Sequence, residues 1–162
     1  MIDRRHLLIL LALAPVAARA QAPEPTAAQP ELPKEKLIIT THDGVQHVFQ
    51  VEMAMTPMQQ ITGLMFRTSV PADGGMLFDW GTPRESQMWM KNTLVPLDMV
   101  FINQDGTIRA IAENTVPESL AVIDSHGPVL ATLELQGGIT AKLGIVVGDK
   151  VTGKIFGNAK EE

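Results

Sequence analysis

The chain of 162 residues contains no cysteine. A disulfide, a thiol nucleophile and a thiolate metal site are therefore excluded. Stability has to come from an ordinary hydrophobic core, and the chain is long enough to form one domain of common size.

Runs of lysine and arginine are also missing, and acidic residues outnumber basic ones. The whole chain has 13 Lys and Arg against 18 Asp and Glu, a formal net charge of −5. Without residues 1–20 the counts become 10 and 17, which gives −7. Such a surface repels phosphate groups, so nucleic acid and anionic lipid are poor candidates as partners.

The longest apolar run, residues 7–16, is too short to cross a bilayer about 30 Å thick as a helix. Arg4 and Arg5 precede it, and Ala18-Arg19-Ala20 fits a small-residue cleavage site. This order predicts a signal peptide over residues 1–20, with an uncleaved anchor as the alternative. We expect a periplasmic or secreted protein without a membrane span after processing. The paired arginines leave the twin-arginine and general secretory routes open.

Standard catalytic and cofactor motifs are absent. There is no Gly-x-Ser-x-Gly elbow, phosphate-binding glycine loop or dinucleotide fingerprint. His42, His47 and His126 lack paired ligand spacing, and three methionines at strand spacing are interpreted as core rather than as copper ligands: Met88, Met90 and Met99. We therefore expect neither a metal nor a cofactor.

Domain organisation follows from composition and turn signals. Residues 21–36 hold four prolines and are interpreted as an extended, solvated linker, followed by a single β-rich domain over residues 37–158. Asp43-Gly44 predicts a hairpin between residues 37–41 and 46–54. Thr56, Pro57 and Gln59 predict a capped helix that stops near Gly63. A second short helix is predicted over residues 138–144. The remaining strands are predicted at residues 75–80, 86–93, 97–103, 107–113, 129–135 and 151–156.

These elements predict a mainly β fold, a compact β-barrel or two-sheet sandwich with one or two short helices. Within the predicted strand 86–93, Met88, Met90 and Asn92 share one side, which places Asn92 at the rim of the core, bonded to a neighbouring loop. Trp89 and Lys91 share the other side with Gln87 and Thr93. They are interpreted either as a ligand platform or, for Trp89, as packing under residues 71–75.

Two acidic residues lie within apolar strands, Asp98 and Glu134. A carboxylate in such a setting has to be paired, hydrogen-bonded or neutral, and Arg67, Lys91 and Asn92 are the expected partners of Asp98. If both acids lie in one cleft, they can divide acid and base roles. A structural ion pair between Arg67 and a carboxylate is the alternative.

The chain resembles a bacterial and archaeal family known as domain of unknown function 192 in six motifs: Gly63-Leu64-Met65-Phe66-Arg67, Gly75-Met76-Leu77-Phe78, Met90-Lys91-Asn92-Thr93, Pro96-Leu97-Asp98, Leu133-Glu134-Leu135 and Gly148-Asp149-Lys150-Val151. Together the motifs cover nearly the whole folded part. The resemblance implies a small β-rich domain and a shared polar set of Arg67, Asn92, Thr93, Asp98 and Glu134. No activity comes with it.

Three functional hypotheses remain open. The first is a periplasmic binding or accessory module that holds a small molecule or a protein through the Trp89 and Lys91 face. The second is an enzyme acting on a sugar or cell-wall substrate with Asp98 and Glu134 as its acid–base pair. The third is a structural interaction protein. The lack of a nucleophile, metal cluster or cofactor motif favours the first.

Overall fold

The computed structural model describes residues 24–159. The predicted signal peptide and its cleavage site lie outside the described residues. Between these limits the chain forms one seven-stranded sheet with two short α-helices and one 3-10 helix. The elements, in chain order, are β1 Lys34–Thr40, β2 Gln46–Ala54, α1 Pro57–Thr62, β3 Gly74–Met88, β4 Leu97–Ile102, β5 Ile108–Ala112, β6 Ile123–Gln136, α2 Ile139–Leu143, β7 Lys150–Thr152 and the 3-10 helix Lys154–Phe156.

The strands follow the order β5-β4-β6-β3-β2-β1-β7, and the sheet curls until its two edges meet. Thr107 pairs with Lys150 across the seam, and Ile108 donates its N–H to the Asp149 carbonyl at 2.9 Å. Closure of one sheet protects its edges. The mainly β prediction is confirmed in its barrel-like form, and the two-sheet sandwich does not form.

Local signals placed the first elements correctly. β1 and β2 pair antiparallel around Asp43-Gly44, with Thr40 opposite Gln46. Helix α1 begins after Thr56, whose side chain accepts the Gln59 N–H while Gln59 Oε1 accepts the Thr56 N–H at 2.9 Å. It ends at Gly63. The predicted hairpin and capping box are therefore confirmed.

Two strand predictions were wrong. Residues 75–80 and 86–93 were predicted as separate strands, but β3 runs unbroken from Gly74 to Met88 and passes the Gly-Thr-Pro segment through an irregularity between Asp79 and Arg84. The long strand β6, of 14 residues, continues to pair with β3 beyond the irregularity, which is why the turn-like residues do not end the strand. Residues 151–156 form only a short strand, because the chain turns into the 3-10 helix.

Apolar side chains cover both faces of the curled sheet. The inner face forms one core cluster, which includes Leu37, Val51, Val100, Leu133 and Val151. The outer face forms a second cluster beneath covering loops, made mainly of these residues: Ala54, Leu64, Val70, Met76, Phe78, Met90, Leu97, Met99, Phe101 and Val129. Every residue of β4 is buried, as expected for a central strand with two covered faces.

Gly75 allows the central strands β3 and β6 to approach. A Cβ atom at this position would lie 2.3 Å from the Glu134 carbonyl oxygen, which is closer than any side chain tolerates.

Within residues 24–159, no helix has the length and apolar character needed to cross a membrane.

Candidate functional site

The two buried acids, Asp98 and Glu134, lie on neighbouring strands but face opposite sides of the sheet. Asp98 is paired with Leu135, and Glu134 is paired with Met99. Paired residues share a face, and successive residues alternate between faces. Asp98 therefore points to the inner face and Glu134 to the outer one, so the proposed acid–base pair is wrong, because the sheet separates the two carboxyl groups.

Asp98 is fully buried, with 0% exposed surface, and accepts four hydrogen bonds. Its Oδ1 accepts the N–H groups of Asn114 and Gly138, both at 2.8 Å. Its Oδ2 accepts the N–H of Thr140 at 2.9 Å and the Thr140 hydroxyl at 2.7 Å. The expected burial is confirmed, but the expected partners Arg67, Lys91 and Asn92 are wrong. Asp98 fastens α2 and the loop after β5 to the end of the barrel, which is a structural role.

Arg67 pairs with an acid that the sequence did not single out, Glu52 on the outer face of β2. Arg67 Nη2 lies 3.0 Å from Glu52 Oε2, which also accepts the Leu32 N–H at 2.8 Å. The pair borders a small pocket of about 260 Å³. The structural ion pair expected for Arg67 therefore forms, with Glu52 as its carboxylate rather than Asp98 or Glu134.

Glu134 borders a larger pocket of about 470 Å³ on the outer face of the sheet. The residue is 5% exposed, and its Oε2 is buried without a hydrogen-bond partner in the described part of the chain. Burial raises the pKa of the Glu134 carboxyl group from 4.5 to about 8. At neutral pH the group is mainly the uncharged acid, which can both donate and accept a hydrogen bond.

Aromatic side chains and one cation, Arg84, form part of the wall and mouth of this pocket. Trp80 stacks on Phe78 with ring centroids 5.8 Å apart and donates its Nε1–H to the Thr132 hydroxyl at 3.2 Å. The Arg84 guanidinium lies over the Trp80 ring, 4.1 Å from its centroid. Such contacts orient the ring while leaving the cation in contact with water.

Trp89 lines the same pocket from the segment that follows β3, and 49% of its surface is exposed. Lys91 Nζ lies 5.4 Å from the centroid of the Trp89 ring and 2.7 Å from Glu24 Oε1. The two residues do lie together, but β3 ends at Met88, so the strand alternation on which the prediction rested does not extend to them. With half of its surface exposed, the Trp89 side chain is not packed as core.

Asn92 and Thr93 shape the segment that carries Trp89. Asn92 adopts a left-handed conformation with φ 56° in the turn after β3. Its carbonyl accepts the Phe66 N–H at 2.8 Å, and its side-chain Nδ2 donates to Met65 Sδ at 3.8 Å. Asn92 therefore bonds to the segment after α1 through both its backbone and its side-chain amide. Thr93 is buried, and it borders the pocket. Together these contacts hold the covering loop against the sheet.

The structure therefore brings Glu134, Trp89 and Thr93 to one pocket, with Lys91 beside it, and places Asp98 and Arg67 elsewhere. Sequence reasoning missed Trp80 and Arg84, which also line the pocket. Trp80 alternates with Met76 and Phe78, so its face could have been assigned once β3 was paired with β6. Arg84 carries no such signal. No cluster of His, Asp or Glu suited to a metal ion occurs in residues 24–159.

The chain belongs to the family of domain of unknown function 192, described as an uncharacterised ACR family, whose model matches residues 38–153. No curated protein matches the chain. A structure from Sinorhizobium meliloti 1021, described as a candidate transcription regulator, is 47% identical and superposes with a TM-score of 0.76, covering 79% of this chain and 99% of its own. A protein of unknown function from Novosphingobium aromaticivorans DSM 12444 is 37% identical, with a TM-score of 0.72, covering 84% and 100%.

Proposed function

We propose that this protein is an exported binding module that holds a small organic molecule in the pocket between Trp80 and Trp89. The observation that carries the proposal is the Glu134 carboxyl group, which is buried at this pocket with one oxygen unpartnered. Buried polar atoms are nearly always hydrogen-bonded, and leaving one unpaired costs about 1–3 kcal/mol. A ligand that reaches Glu134 supplies the missing partner.

The shape of the site favours a small molecule over a protein partner. Trp89 borders a pocket of about 470 Å³, a volume within the usual range of small-molecule sites, rather than a flat apolar patch. The apolar walls with a few polar groups also follow the usual pattern. An enzyme acting on a glycosidic bond generally needs two carboxyl groups, and Glu134 is the one acid among the described pocket-lining residues.

The proposal does not include nucleic acid, although the related S. meliloti protein is described as a candidate transcription regulator. The net charge of the present chain is −5. DNA-binding surfaces carry an excess of Lys and Arg that neutralises phosphates.

Export is part of the proposal and has its own test. The proposal is supported by Arg4 and Arg5 before a short apolar run and by Ala18-Arg19-Ala20 after it, the order typical of a signal peptide cleaved after Ala20. N-terminal sequencing of protein recovered from the periplasm is expected to begin at Gln21. Recovery of the uncleaved chain in that fraction contradicts the processing step.

Ligand binding is tested with thermal melts of the mature protein in the presence of the low-molecular-weight fraction of a periplasmic extract. A ligand at about 100 times its Kd stabilises by about 2.7 kcal/mol, which raises Tm by roughly 5–10 °C. We expect this rise in the wild type and not in Trp89→Ala. Leu120→Ala, at an exposed apolar position away from the pocket, is the matched control and should respond as the wild type does. No rise in the wild type, or an equal rise in Trp89→Ala, contradicts the proposal.

A further inference from the structure

We infer that the ligand is a small organic anion with an apolar body, a negative group at the pocket mouth and a hydroxyl or carbonyl oxygen at Glu134. This inference rests on the proposed function and adds the chemical class of the ligand. It follows from how charge and polarity are distributed along the pocket.

One cation lies at the mouth of the pocket. Arg84 is exposed beside Trp80 and lines the pocket. Lys91 lies over Trp89 just outside the described lining, and its Nζ is paired with Glu24 Oε1 at 2.7 Å. Among the described residues that line the pocket, Arg84 and Glu134 are the ones with ionisable side chains. An anionic group at the mouth gains attraction from Arg84 and stays hydrated, so its desolvation cost is small.

A cationic ligand is disfavoured by the same arrangement. Aromatic rings bind ammonium groups through their faces. One face of Trp80 is covered by Arg84, its ring is also stacked with Phe78, and Trp89 already carries Lys91. A ligand cation would have to displace these groups or lie beside them, and like charges at such distances repel.

The buried end of the pocket requires an uncharged oxygen. Glu134 is paired across the strands with Met76 and Met99, neither of which carries charge or donates a hydrogen bond to it. Since burial raises the pKa of Glu134 to about 8, its carboxyl group at neutral pH can donate to a carbonyl or hydroxyl and accept from a hydroxyl. A ligand charge at this depth would lose its hydration, whereas a hydroxyl or carbonyl loses little.

The middle of the pocket accepts an apolar body. Met65 and Phe78 line it as buried side chains, and the half-exposed Ile61 adds apolar surface at its edge. The volume of about 470 Å³ suits a molecule with one ring or a short branched chain. The three zones together specify a molecule that is polar at both ends, but negative at one end only.

The test is isothermal titration calorimetry of the mature protein at pH 6.5 with three probes of one shape. 4-Hydroxyphenylacetate has the negative group and the hydroxyl, phenylacetate lacks the hydroxyl, and tyramine replaces the negative group with a cation. We expect the first probe to bind at least tenfold more tightly than either of the others. Equal or tighter binding of tyramine overturns the inference, and so does the absence of measurable binding by all three probes.

Variants assign each preference to a residue. Arg84→Gln should weaken 4-hydroxyphenylacetate binding to the level of tyramine, while Lys142→Gln, which removes an exposed positive charge outside the pocket, should leave it unchanged. Glu134→Met should erase the preference for the hydroxylated probe. Glu134→Gln keeps both a donor and an acceptor and should preserve the affinity. Loss of affinity in Lys142→Gln equal to that in Arg84→Gln counts against the assignment.

The pH profile gives a readout that a merely structural role would not change. Wild-type affinity for 4-hydroxyphenylacetate should fall as pH rises from 6.5 to 9, because Glu134 then loses its donated proton, while the affinity of Glu134→Gln stays flat. Equal profiles overturn the inference. If the periplasmic extract still stabilises the wild type while these probes fail, only the ligand class is wrong; if the extract fails too, so does the binding function.

Discussion

Asp98 and Glu134 are both buried acids on adjacent strands, yet the protein surrounds them differently. Asp98 accepts four hydrogen bonds from three residues, and the Oε2 atom of Glu134 has no partner in the described part of the chain. Both carboxyl groups are thus buried but, within residues 24–159, only that of Asp98 is surrounded by N–H and O–H groups that donate hydrogen bonds to it. The difference separates a carboxylate that holds the fold together from a carboxyl group that is available to a ligand.

The largest effect is expected at the satisfied acid. Asp98→Ala leaves three backbone N–H groups and the Thr140 hydroxyl without their acceptor, so it should lower the free energy of unfolding by about 4–5 kcal/mol. Urea unfolding measures this change. Asp98→Asn keeps one acceptor oxygen and should lose less. A loss below about 0.5 kcal/mol in Asp98→Ala, as at ordinary surface positions, would falsify the structural role.

Replacing Glu134, the acid without a partner for its Oε2, should raise the free energy of unfolding rather than lower it, and the gain should depend on pH. Glu134 has a folded pKa of about 8 against an ordinary value of 4.5, so the folded state keeps a proton that the unfolded state loses. Stability linked to this group is fully present below about pH 4.5 and is lost as pH rises towards 8. Glu134→Gln removes this loss. Between pH 5 and 7 the variant should therefore gain roughly 2–3 kcal/mol over the wild type, at about 1.4 kcal/mol per pH unit.

Urea melts of both proteins across this range measure the gain. Parallel stability curves for the wild type and Glu134→Gln would show that the carboxyl group is hydrated or paired in the folded protein, which removes the contrast with Asp98.

The smallest effect on stability is expected at the pocket mouth. Trp89→Ala should lower the free energy of unfolding by about 1 kcal/mol or less, because half of the ring already lies in solvent. Trp80→Ala is the matched comparison and should cost about 2 kcal/mol, since that ring is stacked and hydrogen-bonded. Thermal melts of the two variants decide this. A larger loss in Trp89→Ala than in Trp80→Ala would mean that Trp89 packs as core.

Features set by neighbouring residues were predictable from the sequence. The Asp43-Gly44 hairpin, the Thr56 capping box and the glycine that closes α2 depend on contacts within a few residues. The break predicted within β3 was wrong because the continuity of this strand depends on a contact between residues that are distant in the sequence. Gly81, Thr82 and Pro83 have the composition of a turn, and only pairing with the distant β6 keeps them within a strand.

The contrast between the two acids could not be predicted in the same way. Leu97-Asp98-Met99 and Leu133-Glu134-Leu135 are the same pattern, an acid between two apolar residues in a buried strand. What separates them is the register of β4 with β6 and the arrival of α2 at the inner face. Both depend on contacts between residues that are distant in the sequence.

The position of the two tryptophans has a practical consequence. The chain contains two tryptophans and no tyrosine, and both tryptophans border the pocket that Glu134 lines. Its ultraviolet emission, excited at the red edge of protein absorption, therefore arises from the pocket wall alone. The protein has an intrinsic optical reporter of its own site, and we expect a molecule that contacts either ring to change the colour or intensity of that light without a label or an engineered probe.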